Sequence, residues 1–401
     1  MSRYVADNIK DFNLDHIFDC GQCFRWERQA DGSYTGIAHG KVVNMQFLSE
    51  GQLAARSDFR EEISNWALSC DHSEDLNGEL PCNSTEALNG TQPSGHSQPY
   101  ITSAIASAAA GRAPLSASSS SRHSQPSADA CPSGRLVIDN CTEAEFEQIW
   151  KPYLDLDRDY GEIKKRLAAC DPVMEQAIRA GQGIRILKQD LWETIVSFII
   201  SQNNNIPRIK RCIENLSFMF GEPAGEYAGR AYYSVPGPQK MASLTAEELG
   251  PVRLGYRTRY LIETAKMVCE KGLPEDEEQL SALCGVGPKV ANCILLFGMG
   301  RHESFPIDVW MARVMNQLYG IDEKNHKEMS AYAGSHFGSL GGFAQQYLFY
   351  YIREKTSKKM SENVDREEGR GEEGRGWKIS QKNLQKNIDI EARKTYNKED
   401  D

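Results

Sequence analysis

The chain lacks what a secreted, membrane-spanning or metal-clustered protein would need. No cysteine follows Cys293, and of the 11 cysteines only Cys20 and Cys23 stand at ligand spacing, so a structural zinc site is not expected. There is no apolar run of the ~20 residues that a membrane helix requires, and no signal-peptide pattern. The expectation is an intracellular chain, not secreted, with reduced thiols, no bound metal or cofactor, and no membrane partner. Positive charge is also short: the formal net charge is -10, which weighs against a nucleic-acid partner unless cations cluster locally. From Asp71 to Arg135 aromatics are missing except Tyr100, while Ser, Ala, Pro, Gly and Asn abound. Such a stretch cannot offset the entropy of ordering, so residues 71–135 read as a disordered insertion. Residues 357–401 are charged and nearly free of apolar clusters, and read as a flexible tail.

What is present suffices for a large core. At 401 residues and 40% apolar content, two or three domains are expected. Cys23–Gln29, Tyr34–Ala38 and Lys41–Leu48 read as strands, with a turn at Asp31-Gly32 and Val43, Met45 and Phe47 alternating on one face. An antiparallel sheet domain is therefore expected over residues 1–70. Helices dominate residues 136–356. Thr142–Glu145 and Thr245–Glu248 have the capping-box pattern, Ile184–Leu187 reads as a brief extended segment, and Leu191–Ile200 is an apolar helix that leads into three asparagines. The class is α+β, and no internal repeat is present.

The chemistry concentrates around Lys289, in Leu283-Cys284-Gly285-Val286-Gly287-Pro288-Lys289-Val290. Gly285 and Gly287 permit a sharp turn, and Pro288 suits the first turn of a helix. Free backbone N–H groups from Gly285 to Val290, aided by the helix dipole, can hold a phosphate without reading sequence. A tight turn between two packed helices would need the same residues. In the first turn of an apolar helix, Lys289 is expected to be pushed toward the neutral, nucleophilic amine by burial and by the dipole. Asp308 precedes another amphipathic helix, where it can stabilise a cationic sugar carbon or simply serve as an N-cap. Arg208, Lys210 and Arg211 form one acid-free cluster. Arg253, Arg257 and Arg259 form another, interleaved with Tyr256 and Tyr260.

Gly285-Val286-Gly287-Pro288-Lys289 followed by Pro306-Ile307-Asp308 resembles the helix-hairpin-helix DNA glycosylase superfamily. More narrowly, Gly21-Gln22-Cys23-Phe24-Arg25-Trp26, Ser201–Ile206 and Gly255–Tyr260 resemble the 8-oxoguanine DNA glycosylase/AP lyase family, in the family's order along the chain. The resemblance implies a base-excision repair enzyme that acts on duplex DNA containing oxidised guanine, as a monomer, in the bacterial cytoplasm or the nucleus. Lys289 would attack C1′ of a flipped-out nucleotide, expel 8-oxoguanine from opposite cytosine and nick the strand by β-elimination through a Schiff base, assisted by Asp308. Asn203 would fill the vacated stack, Arg208 and Arg257 would read the widowed cytosine, and Tyr256 would wedge beside it. The carbonyl of Gly21 would accept from N7–H, which guanine lacks. Gln345 would bond the Watson–Crick edge, and Phe349 and Cys293 would enclose the ring.

Two departures and two alternatives accompany that resemblance. Eukaryotic members have histidine two residues after the aspartate, where this chain has Trp310, and the cysteine cluster of the superfamily's iron-sulfur members is absent. An enzyme for another damaged purine is the second reading, although such alkylation-repair relatives lack the hairpin lysine. A third is a non-catalytic DNA-binding module in which Lys289 and Asp308 are dispensable and binding falls steeply with salt.

Overall fold

A computed structural model describes residues 2–55 and 133–368. Five antiparallel strands, β1 (Arg3–Lys10), β2 (Trp26–Arg28), β3 (Tyr34–Ala38), β4 (Lys41–Ser49) and β5 (Ser133–Asp139), form one sheet in the order β1-β5-β4-β3-β2. The core face follows the two-residue period: Met45 pairs with Ile138 and Phe47 with Leu136, and Met45, Leu136 and Ile138 are fully buried. Phe12, Phe18, Trp26, Tyr34 and Trp150 complete this layer. Trp26 is stacked on Phe18 at 4.1 Å and donates from Nε1 to the Tyr153 hydroxyl at 2.7 Å. The α+β architecture is as expected, but the sheet is not built from residues 1–70 alone, because β5 lies in its interior.

The expected end of the insertion at Arg135 is corrected by the same strand. Ser133, Gly134 and Arg135 are paired with β1 and β4, Ser133 Oγ donates to Glu50 at 2.7 Å, and Arg135 meets Asp7 at 2.5 Å. Small and polar residues there resemble the insertion in composition, while their backbone groups are held by neighbouring strands. Residues 56–132 lie outside the described residues, as do 369–401 of the expected tail. Residues 357–368, also placed in the tail, continue the Gly341–Glu368 helix. No Gly or Pro interrupts the chain between Phe343 and Glu368, and Lys, Glu, Arg and Met are good helix formers.

Among the helices that carry the site, Leu191–Ser201 is almost wholly buried, Pro288–Phe297 packs on it, and Val309–Tyr319 and Gly341–Glu368 close round them. The Thr142–Glu145 capping box forms, with both reciprocal hydrogen bonds. At Thr245 the two bonds also form (2.8 and 3.2 Å), yet only turns and a short 3-10 segment at Gly250–Val252 follow, because Gly250 and Pro251 stop propagation. A hairpin of β6 (Pro223–Tyr227) and β7 (Arg230–Tyr233) was not foreseen in the helical region. Ile184–Leu187 is irregular, with backbone bonds that go to side chains.

Candidate active site

The hairpin is held from three directions. Gly285 has φ +78°, and a Cβ there would lie 2.4 Å from the Tyr260 ring, so both the turn and the close approach demand glycine. Its carbonyl accepts from Gln202 Nε2 at 2.9 Å, and the Cys284 carbonyl accepts from Thr264 Oγ1 at 2.9 Å. Gly287 is the N-cap of Pro288–Phe297 and offers no side-chain cap. The N–H groups of Lys289 and Val290 therefore remain available to an anion, whereas the Val290 side chain is buried.

Lys289 is half-buried, with Nζ 5.5 Å from the centre of the Phe198 ring. One helical turn on, the Cys293 thiol hydrogen-bonds the amine, and the Asp308 carboxylate acts electrostatically on both. Here the expectation of a neutral amine fails. Burial does pull the Lys289 pKa down, but Cys293, Asp308 and the Cys293 hydrogen bond more than offset it, and the net direction is upward. Burial first, and then Asp308, push the Cys293 thiol up, against the lowering effect of Lys289. Asp308 also caps its helix, accepting from Met311 N at 2.8 Å, so the cap and the charge reside in one side chain.

A pH dependence follows. If free amine is the reactive form and the folded-state pKa lies above that of ordinary lysine, each unit of pH from 6 to 9 raises its population about tenfold. Single-turnover imine formation should climb with pH across that range. A plateau beginning near pH 7 would show that Lys289 is already neutral.

The Gly21 loop is fixed by a residue to which no role was given from sequence. Gln22 is fully buried; its Nε2 donates to the carbonyls of Ile17 (2.9 Å) and Arg185 (2.8 Å), and its Oε1 accepts from Leu187 N at 2.9 Å. Gly21, at φ +81°, lies against Phe349: a Cβ there would stand 3.5 Å from the ring. The structure thus brings Gly21 and Phe349 together. Gln345, one turn before Phe349, is buried (6% exposed), and its Oε1 accepts from Gln346 Nε2 at 2.7 Å. Phe198 is a second residue missed by sequence reading, since its apolar helix offered no sign that the ring faces Lys289.

The asparagine run divides by role. Asn205 caps Ile206–Phe220 by accepting from Arg208 N, and Asn204 Nδ2 donates to the Ile200 carbonyl at 3.0 Å. Only Asn203 is exposed, at φ +44°. Arg208 is exposed and Tyr256 is 51% exposed, as an interface needs. Arg257 is not: only 3% exposed, it donates to the carbonyls of Gln202, Asn203 and Leu254, with 2.9 Å to Asn203 and 3.1 Å to Leu254. The Gln202 and Asn203 carbonyls lie at the left-handed turn of Asn203, the Leu254 carbonyl comes from the loop before Arg257, and one planar guanidinium satisfies all three. Lys210 is likewise engaged, donating to the Trp26 carbonyl at 2.8 Å. Trp310 is half-buried, with the Arg313 guanidinium 5.6 Å from its ring.

Residues 5–195 match the family model described as 8-oxoguanine DNA glycosylase, N-terminal domain, and residues 196–336 match HhH-GPD superfamily base excision DNA repair protein. A solved structure of MBOgg1 in complex with a low-affinity DNA ligand is 35% identical at TM-score 0.65, covering 89% of this chain and 97% of that one. The 8-oxoguanine glycosylase/lyase of Clostridium acetobutylicum, in complex with double-stranded DNA containing cytosine opposite 8-oxoG, is 32% identical at TM-score 0.64, covering 89% and 99%. A probable N-glycosylase/DNA lyase of Methanothermobacter thermautotrophicus is 29% identical over 212 residues, 46% of this chain and 68% of that protein.

Proposed function

The chain belongs to the 8-oxoguanine DNA glycosylase family, bifunctional N-glycosylases and DNA lyases of base-excision repair, and on that premise we propose that it excises 8-oxoguanine from opposite cytosine and nicks the strand through a Schiff base on Lys289. The observation that carries this reading is the Lys289 amine, set between the Cys293 thiol and the Asp308 charge at the mouth of a hairpin with free backbone N–H groups.

Lys289, once deprotonated, forms a bond from Nζ to C1′ as the bond from C1′ to the base breaks and the base departs with a proton. Asp308 opposes the cationic character that develops at C1′. Opening of the sugar gives the imine. Loss of a C2′ proton then expels the 3′-phosphate by β-elimination, and water releases Lys289. The Gly21 carbonyl, fixed by the Gln22 network, suits the N7–H of the lesion and opposes the lone pair that unmodified guanine has there. Asn203, Arg208 and Tyr256 are the exposed residues for the gap and the estranged cytosine. Arg257 supports the Asn203 turn and would reach cytosine only by giving up carbonyls it now holds.

The test is release of base from duplexes bearing 8-oxoguanine opposite each of the four bases. Release is expected to be fastest opposite cytosine, with nicking on the same strand. A folded protein that binds these duplexes and frees no 8-oxoguanine, or frees only an alkylated purine, would overturn the proposal.

A further inference from the structure

We propose that Gln346 decides which purine the pocket reads, by holding the Gln345 side-chain amide in one of its two orientations. The inference rests on the function proposed above and concerns a residue to which the motifs give no role.

Both side chains are buried, Gln345 6% and Gln346 3% exposed, on neighbouring positions of the Gly341–Glu368 helix. Gln346 Nε2 donates to Gln345 Oε1 at 2.7 Å. Among the described residues Gln346 Oε1 has no hydrogen-bond partner. That orphan atom fixes the sense of the contact. Turning both amides over would place Gln346 Oε1 against Gln345 Nε2 and leave both N–H groups of Gln346 without an acceptor, where one carbonyl and one N–H are now unpaired. Unpaired buried N–H groups are the rarer and costlier of the two. The observed arrangement is thus the favoured one, and it leaves Gln345 with Nε2 uncommitted to any acceptor among the described residues and with one lone pair still open on Oε1.

An amide presented this way has a donor beside an acceptor in a set order. Guanine's Watson–Crick edge carries an acceptor at O6 beside a donor at N1, and adenine's carries a donor at N6 beside an acceptor at N1. A glutamine free to rotate by 180° can pair with either purine. Held by Gln346, it can be matched to the guanine edge alone. 8-Oxoadenine isolates this contribution, because it has the same N7–H and C8 carbonyl as 8-oxoguanine and differs only on the edge that Gln345 would face.

The experiment uses the full chain and Gln346→Met, which keeps the length of the side chain but can neither donate to nor fix an amide. Excision of 8-oxoguanine and of 8-oxoadenine, each opposite cytosine, is compared with borohydride trapping on a duplex that already contains an abasic site. The preference for 8-oxoguanine should fall about tenfold or more, with abasic-site trapping within twofold of the parent, because that substrate has no base to read. A preference unchanged within twofold overturns the proposal. So does a loss of trapping in step with excision, which would make Gln346 a packing residue. Gln346→Glu serves as a second variant and decides the matter if the methionine protein does not fold: a carboxylate accepts from Gln345 Nε2, turns the amide over and should favour 8-oxoadenine further. If the parent itself releases neither base, it is the proposed function that fails.

Discussion

Lys289→Gln should abolish the covalent adduct that borohydride traps between the protein and a duplex carrying 8-oxoguanine opposite cytosine. Glutamine keeps much of the length of lysine and can still donate to the Cys293 thiol, so the cost to folding is small. Removing this cation also strands no other charge in an apolar place, since Asp308 retains its hydrogen bond from Met311 N. What is lost is the amine that the proposed mechanism sets against C1′ to form the imine. Base release and nicking should fall by roughly 10⁴- to 10⁶-fold, the scale seen when a covalent nucleophile is deleted. Binding should survive, because the N–H groups at the hairpin are backbone. Parent-level trapping by a folded Lys289→Gln protein would place the amine elsewhere and end the assignment.

Asp308→Asn should lower excision about 10²- to 10³-fold while leaving stability nearly unchanged. Asparagine is as good an N-cap as aspartate, so the bond from Met311 N persists and the Val309–Tyr319 helix keeps its start. The charge opposite the developing cation at C1′ disappears, and preorganised charge of this kind contributes about 3–4 kcal/mol to a transition state. Asp308→Ala should in addition cost about 1 kcal/mol of stability through the missing cap. The lyase step on a ready-made abasic site should respond differently. Asp308 raises the Lys289 pKa, so its removal lowers that pKa and enlarges the fraction of free amine at any pH beneath it. The pH profile for imine formation on abasic DNA should therefore move toward acid in Asp308→Asn. A profile that stays in place or moves toward alkali would show that this carboxylate does not govern the amine. Excision within twofold of the parent would leave it the cap alone.

How much could be read from the chain varies with the range of the interaction. Gly285 was legible because a left-handed turn pressed against a ring excludes every side chain, and that need is written in one residue. Asp308, Asn205 and Thr142 were legible as caps because their partners lie within a turn. Strand β4 was legible from alternation, and β3 was recognised beside it although it is buried at every position. β5 was not: its outward positions hold Ser133 and Arg135, which read as a continuation of the polar stretch before them, and only β1 and β4 on either side make them a strand. The short 3-10 segment after Thr245 shows the converse, a local signal satisfied in its hydrogen bonds but followed by no α-helix.

The arginines divide in the same way. Composition grouped Arg208 with Lys210, and Arg253 with Arg257, as two basic clusters. Burial then separated Arg257 and Lys210, which are drawn in to backbone carbonyls, from Arg208, Arg253 and Arg259, which face solvent although Arg208 also donates to the Arg253 carbonyl at 3.2 Å. A guanidinium looks alike in either place until the carbonyls of a distant turn converge on it.

The sequence by itself determined the family, the α+β class, the hairpin with Lys289 at its mouth and Asp308 as a capping carboxylate, because each depends on residue types at short, fixed spacing. Only the tertiary structure decided that β5 completes the sheet, that Gln22 pins the Gly21 loop, that Arg257 lies beneath Asn203, and that Gln346 holds Gln345. It also turned the direction of the Lys289 pKa upward, where burial alone would lower it. Backbone conformation is set largely by neighbours in the chain, whereas burial and electrostatic coupling sum over neighbours in space: Cys293 adjoins the amine through one turn of their shared helix, but folding alone brings Asp308 and the Phe198 ring to it.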